Sequence, residues 1–249
     1  AVAIGLLGSL NKINTLVLIV ADRIICVSKR QCELILRKMP WLGLKTHVIY
    51  NPPPHTPSIE KRPSSLPTFL YGGGSSVIKG IHVLVKALKN LETHRETQRQ
   101  RSIITYGRIG EHQRLIEILK RLNIKVEILG RISYEEVLKL HKTAWATLFP
   151  SINEEPMPYA VLESALLGTI PIASRTGGIP EILEGTPAEK YMFTPGEAEE
   201  LAKKIEDIML LSREEVLNIG MRLREHAFKI FDKDKIEKKF ADLFTSLIN

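Results

Sequence analysis

Three short runs in this chain combine residue types able to hold an anion beside a polyol. The first is Tyr71-Gly72-Gly73-Gly74-Ser75-Ser76-Val77-Ile78-Lys79-Gly80. Glycines let backbone amides approach a phosphate closely, a helix N-terminus adds partial positive charge, and Lys79 adds a full one. The spacing matches neither G-x-x-x-x-G-K-[ST] nor G-x-G-x-x-G, and a tight strand-to-helix turn with a surface lysine explains the loop equally well. The second run extends from Phe149 and Pro150 through Glu155, Pro156, Met157, Pro158 and Tyr159 to Glu163. Glu155 falls in a loop and Glu163 in the first turns of a helix beginning near Tyr159. Carboxylates accept paired hydrogen bonds from vicinal hydroxyls, so the two can hold a sugar and a ribose in one crevice. The free amides of Tyr159 and Ala160 can face an anion. The third run, Ala173-Ser174-Arg175-Thr176-Gly177-Gly178-Ile179-Pro180-Glu181, follows the next strand. Its glycines permit a close approach, and Glu181 is explained by the electrostatics of a helix start.

The elements that must position these runs alternate. Strands are expected over 68–71, 102–106, 125–129, 146–149 and 170–173, with helices over 81–91, 112–122, 134–141 and 160–167 between them. That pattern implies an α/β fold, a Rossmann-like parallel sheet with helices on both faces. Helices over 198–211, 213–227 and 233–247 close the chain. Ligands of open α/β sheets bind at the carboxyl ends of the strands, which selects 72–79, 107–110, 130–133 and 150–163. Upstream, residues 1–50 read helix, strand, helix, strand, with Ser28 capping a helix over 29–38. Prolines 52, 53, 54, 57, 63 and 67 make 51–67 a stiff linker and the natural boundary. Residues 1–20 are apolar but broken by Asn11, Lys12 and Asn14. A membrane span needs about 20 mostly apolar residues, and a buried helix is the better reading. A secretory leader is not indicated, because a basic start and a small-residue cleavage site are missing.

Composition narrows the partners. The 249 residues carry 35 Lys and Arg against 28 Asp and Glu, a net charge of +7. An anionic partner fits this charge, but a solvated basic surface explains it as well. Nucleic acid is not expected, since neither a recognised motif nor an aromatic stacking platform accompanies the charge. Cys26 and Cys32 form no CxxC pair and read as reduced thiols of a cytosolic protein. The seven histidines show no metal-ligand spacing, and His141 reads as a surface or helix residue. Asp232-Lys233-Asp234 has metal-site spacing but sits where a helix cap belongs. Trp41 and Trp145 read as core or interdomain packing residues. Glu154 is expected to point away from its neighbour Glu155. A glycoside hydrolase using Glu155 and Glu163 fits less well than a nucleotide site. Hydrolases set two carboxyls across one bond, whereas this pair shares one strand–helix unit beside a phosphate-type loop.

As an ordered set, these residues resemble the retaining glycosyltransferases of the GT-B fold, family 4, also called glycosyltransferase group 1. The family's Glu, seven residues, Glu is matched by Glu155 and Glu163. Pro150-Ser151 precedes it, and Gly168, Pro171 and Gly177 to Glu181 follow in register. Lys79-Gly80 matches the Lys-Gly of the donor phosphate loop, and the stretches 21–28 and 48–51 resemble the junction of the family's two domains. The resemblance implies a remnant of an acceptor-side domain over 1–50, the linker 51–67, and a nucleotide-sugar donor domain over 68–230. It also implies a last helix within 231–249 that packs back toward an N-terminal domain otherwise missing. Glu155 and Lys79 would act in catalysis, on the sugar hydroxyls and the diphosphate. Gly73, Gly74, Ser75, Met157, Pro158 and Tyr159 would join Lys79 around the donor, Glu163 would take the ribose, and Arg131 and Ile132 would lie beside the base. The donor would be a UDP- or GDP-linked sugar, with no cofactor, no metal and retention at the anomeric carbon. The acceptor is unidentified, lipid-linked or polysaccharide, with peripheral contact at the inner face of a membrane. The alternative is a nucleotide-sugar binding module without catalysis. Two departures stand out. The family's phosphate arginine falls on Gly74, with Arg108 a candidate substitute, and Pro158 removes one amide donor.

Overall fold

The computed structural model describes residues 2–4, 12–57, 59–74, 76–93, 102–107 and 125–248. Two parallel sheets organise them. The smaller has the order β1 (Val2–Ile4), β2 (Arg23–Cys26), β3 (Thr46–Val48). Around it run α1 (Lys12–Val20) and α2 (Lys29–Lys38). Ser28 caps α2 by accepting from the Gln31 amide, as its residue type predicts.

The larger sheet contains β4 (Thr68–Tyr71), β5 (Ser102–Thr105), β6 (Lys125–Ile128), β7 (Ala146–Phe149), β8 (Ile170–Ser174) and β9 (Met192–Phe193). Its order is β6-β5-β4-β7-β8-β9, with every pairing parallel. In order of appearance this is 3-2-1-4-5-6, the doubly wound arrangement whose direction reverses between its first and fourth strands. Strands buried on both faces read as continuous apolar runs, and Phe69, Leu70 and Tyr71 are each at most 1% exposed. The helices of this unit are α3 (Ile81–Thr93), α4 (Tyr134–Thr143), α5 (Tyr159–Leu166) and α6 (Ile179–Leu183). The chain ends with α7 (Ala198–Met209), α8 (Arg213–Ile230) and α9 (Lys233–Thr245). Asp232 caps α9 through the Lys235 amide, so the D-x-D run is a helix start. The two sheets share a core, because Ile25, Val27 and Ile49 pack in the same cluster as Phe69, Leu148 and Phe231.

Several sequence expectations need correction. Residues 1–20 are not one buried helix. A strand precedes the nine-residue α1, which buries Leu18 but leaves Leu16 60% and Val20 65% exposed. Trp41 is 67% exposed and so is not a core residue, whereas Trp145 is buried and donates its indole N–H to the Ser64 carbonyl. The helix expected over 112–122 lies outside the described residues. Strand β9 was not foreseen, because two residues are too few for a period to show.

His141, expected as a surface or helix residue, lies in α4 and is buried, with Nδ1 3.0 Å from Thr169 Oγ1, and Lys61 Nζ bonds the same hydroxyl at 2.6 Å. Burial, reinforced by the neighbouring Lys61 charge, lowers its pKa to about 3. An unfolded histidine titrates near ~6.5. As pH falls from there toward 3, the unfolded chain takes up a proton that the folded His141 refuses, and stability is lost. Urea midpoints measured between pH 7 and pH 4 should therefore decline faster in wild type than in His141→Gln, by up to ~1.4 kcal/mol per pH unit. Equal slopes would show that His141 is not the proton-linked group.

Candidate functional site

At the switch point between β4 and β7 the strand ends open onto a cavity of about 270 Å³, lined by Tyr71, Gly73, Lys79, Pro150, Ser151, Glu155, Pro158 and Tyr159 among others. Lys79 Nζ donates to Glu155 Oε1 at 2.7 Å. Ser151 Oγ lies 3.0 Å from the same oxygen and 3.2 Å from the Ile78 carbonyl, so it can donate to either. The Ile152 amide donates to the Ile78 carbonyl at 3.1 Å and ties the two loops together. A cation and a carboxylate from loops 76 residues apart in sequence thus meet over one cavity. Pro158 provides no side-chain cap for α5, and the first bonds of that turn are donated by Val161 and Leu162 to the Pro158 carbonyl. The Tyr159 and Ala160 amides are therefore the donors that a helix start leaves to a ligand.

Glycines hold the Glu155 loop in place. Gly177 has φ +55°, and a β-carbon on it would stand 1.9 Å from the Glu155 carbonyl oxygen, which accepts from the Gly178 amide at 2.9 Å. Gly80, at φ +76°, touches the Pro150 carbonyl in the same way. The triple glycine of the first run has a different cause. Added β-carbons at Gly72 and Gly73 would meet the rings of Tyr106 and Tyr71 within 3 Å. These two glycines are small because tyrosines pack beneath them, whereas Gly74 is in the left-handed region at φ +58°, a conformation an arginine there would strain to adopt. Ser75 and Arg108 lie outside the described residues.

Glu163 sits on the next turn of α5 and does not line this cavity. It stands with the strand-end tyrosines on the β5–β6 side. Burial, with the Glu163 charge, pushes the Tyr106 phenol up to about 12. Burial and a hydrogen bond to Glu163 push the half-exposed Tyr134 phenol up as well. Arg131 and Ile132 precede the capping box of Ser133 and Glu136 that opens α4 beside them. Of the two carboxylates, Glu155 therefore lines the cavity and Glu163 does not. Met157 is 7% exposed and belongs to the core below the site.

Glu154 points away from Glu155, as expected, and its partner is Arg30 on α2. Arg30 donates to both carboxylate oxygens, at 2.7 and 3.3 Å, and the Gly177 amide adds a third bond at 2.9 Å. The Arg30 hydrogen bond holds the Glu154 carboxyl below its usual range, against the opposing effect of burial. Glu181 caps a helix other than its own. It accepts from the Lys29 and Arg30 amides at the start of α2, both at 2.9 Å, and from the Tyr50 hydroxyl at 3.0 Å. The third sequence run thus clamps the small sheet onto the large one. Sequence reasoning missed Arg30, and it named Ser151 and Tyr71 within its runs without giving either a place in this constellation. Only Ser151 had a signal, its place four residues before Glu155.

The chain belongs to the glycosyl transferases group 1 family, whose model matches residues 56–226. It is similar to the Escherichia coli (strain K12) protein WcaL, which carries the name of a colanic acid biosynthesis glycosyltransferase, with 25% identity over 174 residues, 68% of this chain and 42% of WcaL. The chain thus spans about two fifths of that relative's length. A glycosyltransferase structure from Rickettsia africae superposes with a TM-score of 0.81 at 20% identity, covering 100% of this chain and 70% of that one. Anabaena HepE, solved in complex with UDP-glucose, superposes at 0.71 with 22% identity, covering 93% and 66%. At these identities the structural likeness is one of fold, the GT-B fold with its Rossmann-like sheet. Among the described residues no group of three or more His, Cys, Asp or Glu is placed to hold a metal ion, and no helix is long and apolar enough to cross a membrane.

Proposed function

We propose that this chain supplies the donor-binding half of a retaining glycosyltransferase that takes a UDP- or GDP-linked sugar without a bound metal. The observation that carries this reading is the Lys79–Glu155 pair at 2.7 Å over the switch-point cavity. Each member is held by the other until a donor arrives. A diphosphate offers oxygens to Lys79 and to the Tyr159 and Ala160 amides, and the sugar offers hydroxyls to the Glu155 carboxylate thereby released. Glu163 receives the ribose, and the backbone around Arg131 and Ile132 receives the base. When the bond from sugar to phosphate breaks, charge grows on the leaving diphosphate. Lys79 and the helix-start amides meet it with fixed positive potential.

Calorimetric titration with UDP, GDP, their sugars and the parent nucleosides tests this reading, with and without a chelator. One diphosphate series should bind, with an affinity indifferent to the chelator. Lys79→Ala should weaken the diphosphate by roughly tenfold or more, the worth of one hydrogen bond to a charged group, and leave the nucleoside unchanged. Equal losses for both ligands would remove Lys79 from the phosphate site.

A further inference from the structure

One polar atom at this cavity has no assigned work. Tyr71 ends β4, is 1% exposed, and belongs to the main core, yet its hydroxyl is buried and finds no hydrogen-bond partner. Phe69, two residues earlier and therefore on the same face of the strand, is packed in the same core with no hydroxyl at all. A phenyl ring suits this core, and burying a hydroxyl without a partner is unfavourable. Gly73 roofs that hydroxyl with backbone alone, since a β-carbon there would stand 2.4 Å from it. Tyr71, Gly73, Lys79 and Glu155 line one cavity. The cavity also holds the Lys79 ammonium, paired with Glu155, and the start of α5 at Tyr159 and Ala160.

We propose that the Tyr71 hydroxyl donates a hydrogen bond to a phosphate oxygen of the bound nucleoside diphosphate, which makes Tyr71 a substrate-contacting residue of this site. The inference rests on the nucleotide-sugar reading given above. Burial raises the phenol's pKa well above its ordinary value, so the group remains a donor across the working pH range. Among the described lining residues Glu155 carries the sole carboxylate, and in the donor complex it takes the sugar hydroxyls, so a phosphate oxygen is the acceptor that suits the phenol.

The test is Tyr71→Phe, titrated with UDP, GDP, the matching nucleosides and UDP-glucose, beside Tyr191→Phe. Tyr191 also buries an unpartnered hydroxyl, but it does not line this cavity. In Tyr71→Phe the affinity for the bound diphosphate should fall roughly 10- to 100-fold, as for the loss of a hydrogen bond to a charged group. The nucleoside should bind unchanged, UDP-glucose should lose as much as UDP, and the melting temperature should be no lower than that of wild type. Tyr191→Phe should bind every ligand as wild type does. Wild-type affinity of Tyr71→Phe for the diphosphate overturns the proposal. So does a loss shared by the nucleoside, a loss confined to the sugar nucleotide, or a lower melting temperature revealing a partner in the unliganded protein. If wild type itself binds neither UDP nor GDP, the nucleotide-sugar reading fails first and this proposal falls with it.

Discussion

Glu155→Ala should lower sugar transfer by roughly 10²- to 10⁴-fold while nucleoside diphosphate affinity stays at the wild-type level or tightens by up to about fivefold. The two effects diverge because Glu155 has two partners at different stages. Before the donor binds, its carboxylate holds Lys79 at 2.7 Å, in a pair whose side chains are 47% and 21% exposed. A partly exposed pair of this kind is worth about 0–1 kcal/mol. Its removal frees the ammonium for phosphate at a gain no larger than that. Once the sugar is present, the same carboxylate is the acceptor for its hydroxyls. Two charge-assisted hydrogen bonds contribute about 1.5–3 kcal/mol each, which converts to the stated factor in rate when they act in the transition state. Turnover of the whole protein and calorimetry on the same preparations measure both halves. Transfer within tenfold of wild type would refute the role in chemistry. A fall in diphosphate affinity parallel to the rate would place Glu155 at the phosphate instead.

What was legible in the sequence follows from how each feature is encoded. The strand–helix alternation was readable because strands such as Phe69-Leu70-Tyr71 are apolar on both faces while α7 and α9 are one-sided. Helix starts were readable because caps are local. Ser28 and Asp232 each bond an amide three residues on, a spacing present in one dimension. The pairing of Lys79 with Glu155 was reachable through the strand-end rule, which sends both loops to the same edge. The contacts that brace the site were not readable. Glu181 meets the Lys29 amide across 152 residues, and Arg30 meets Glu154 across 124. Nothing in the local chemistry of a glutamate announces a helix that distant. Burial misled in both directions for the same reason. His141 is hidden because Lys61 and Thr169 come to it from elsewhere in the chain. Trp41 is exposed although tryptophan is largely buried on average. The triple glycine teaches a subtler lesson. Its composition invited a phosphate, but Gly72 and Gly73 answer first to the rings of Tyr106 and Tyr71, and a sequence alone does not say which neighbour a missing side chain accommodates.

The same distinction gives Gly177→Ala a large expected structural effect. Its φ of +55° alone costs an alanine about 1 kcal/mol. The rest of the penalty is spatial. The new methyl would meet the Glu155 carbonyl oxygen at 1.9 Å, and that atom is backbone, so the loop itself must move. Moving it breaks the bond from the Gly178 amide to that carbonyl and loosens the Gly177 amide from Glu154. A lost buried hydrogen bond costs about 1–3 kcal/mol, so the total destabilisation is about 2–4 kcal/mol. That corresponds to a melting temperature lower by roughly 5–10 °C in a chain of this size. Diphosphate affinity should fall as well, because the displaced loop leads into Pro158 and the helix-start amides of Tyr159 and Ala160. Gly196→Ala separates the two causes. Gly196 is also in the left-handed region, at φ +87°, but a β-carbon there has nothing within 4 Å. It should cost about 1 kcal/mol and leave binding intact. If Gly177→Ala melts and binds like Gly196→Ala, the glycine is present for its dihedral alone and the Glu155 loop is braced by something else. If the two differ as expected, the run Gly177 to Glu181 works as a backbone wall, setting Glu155 toward the cavity and Glu154 toward Arg30.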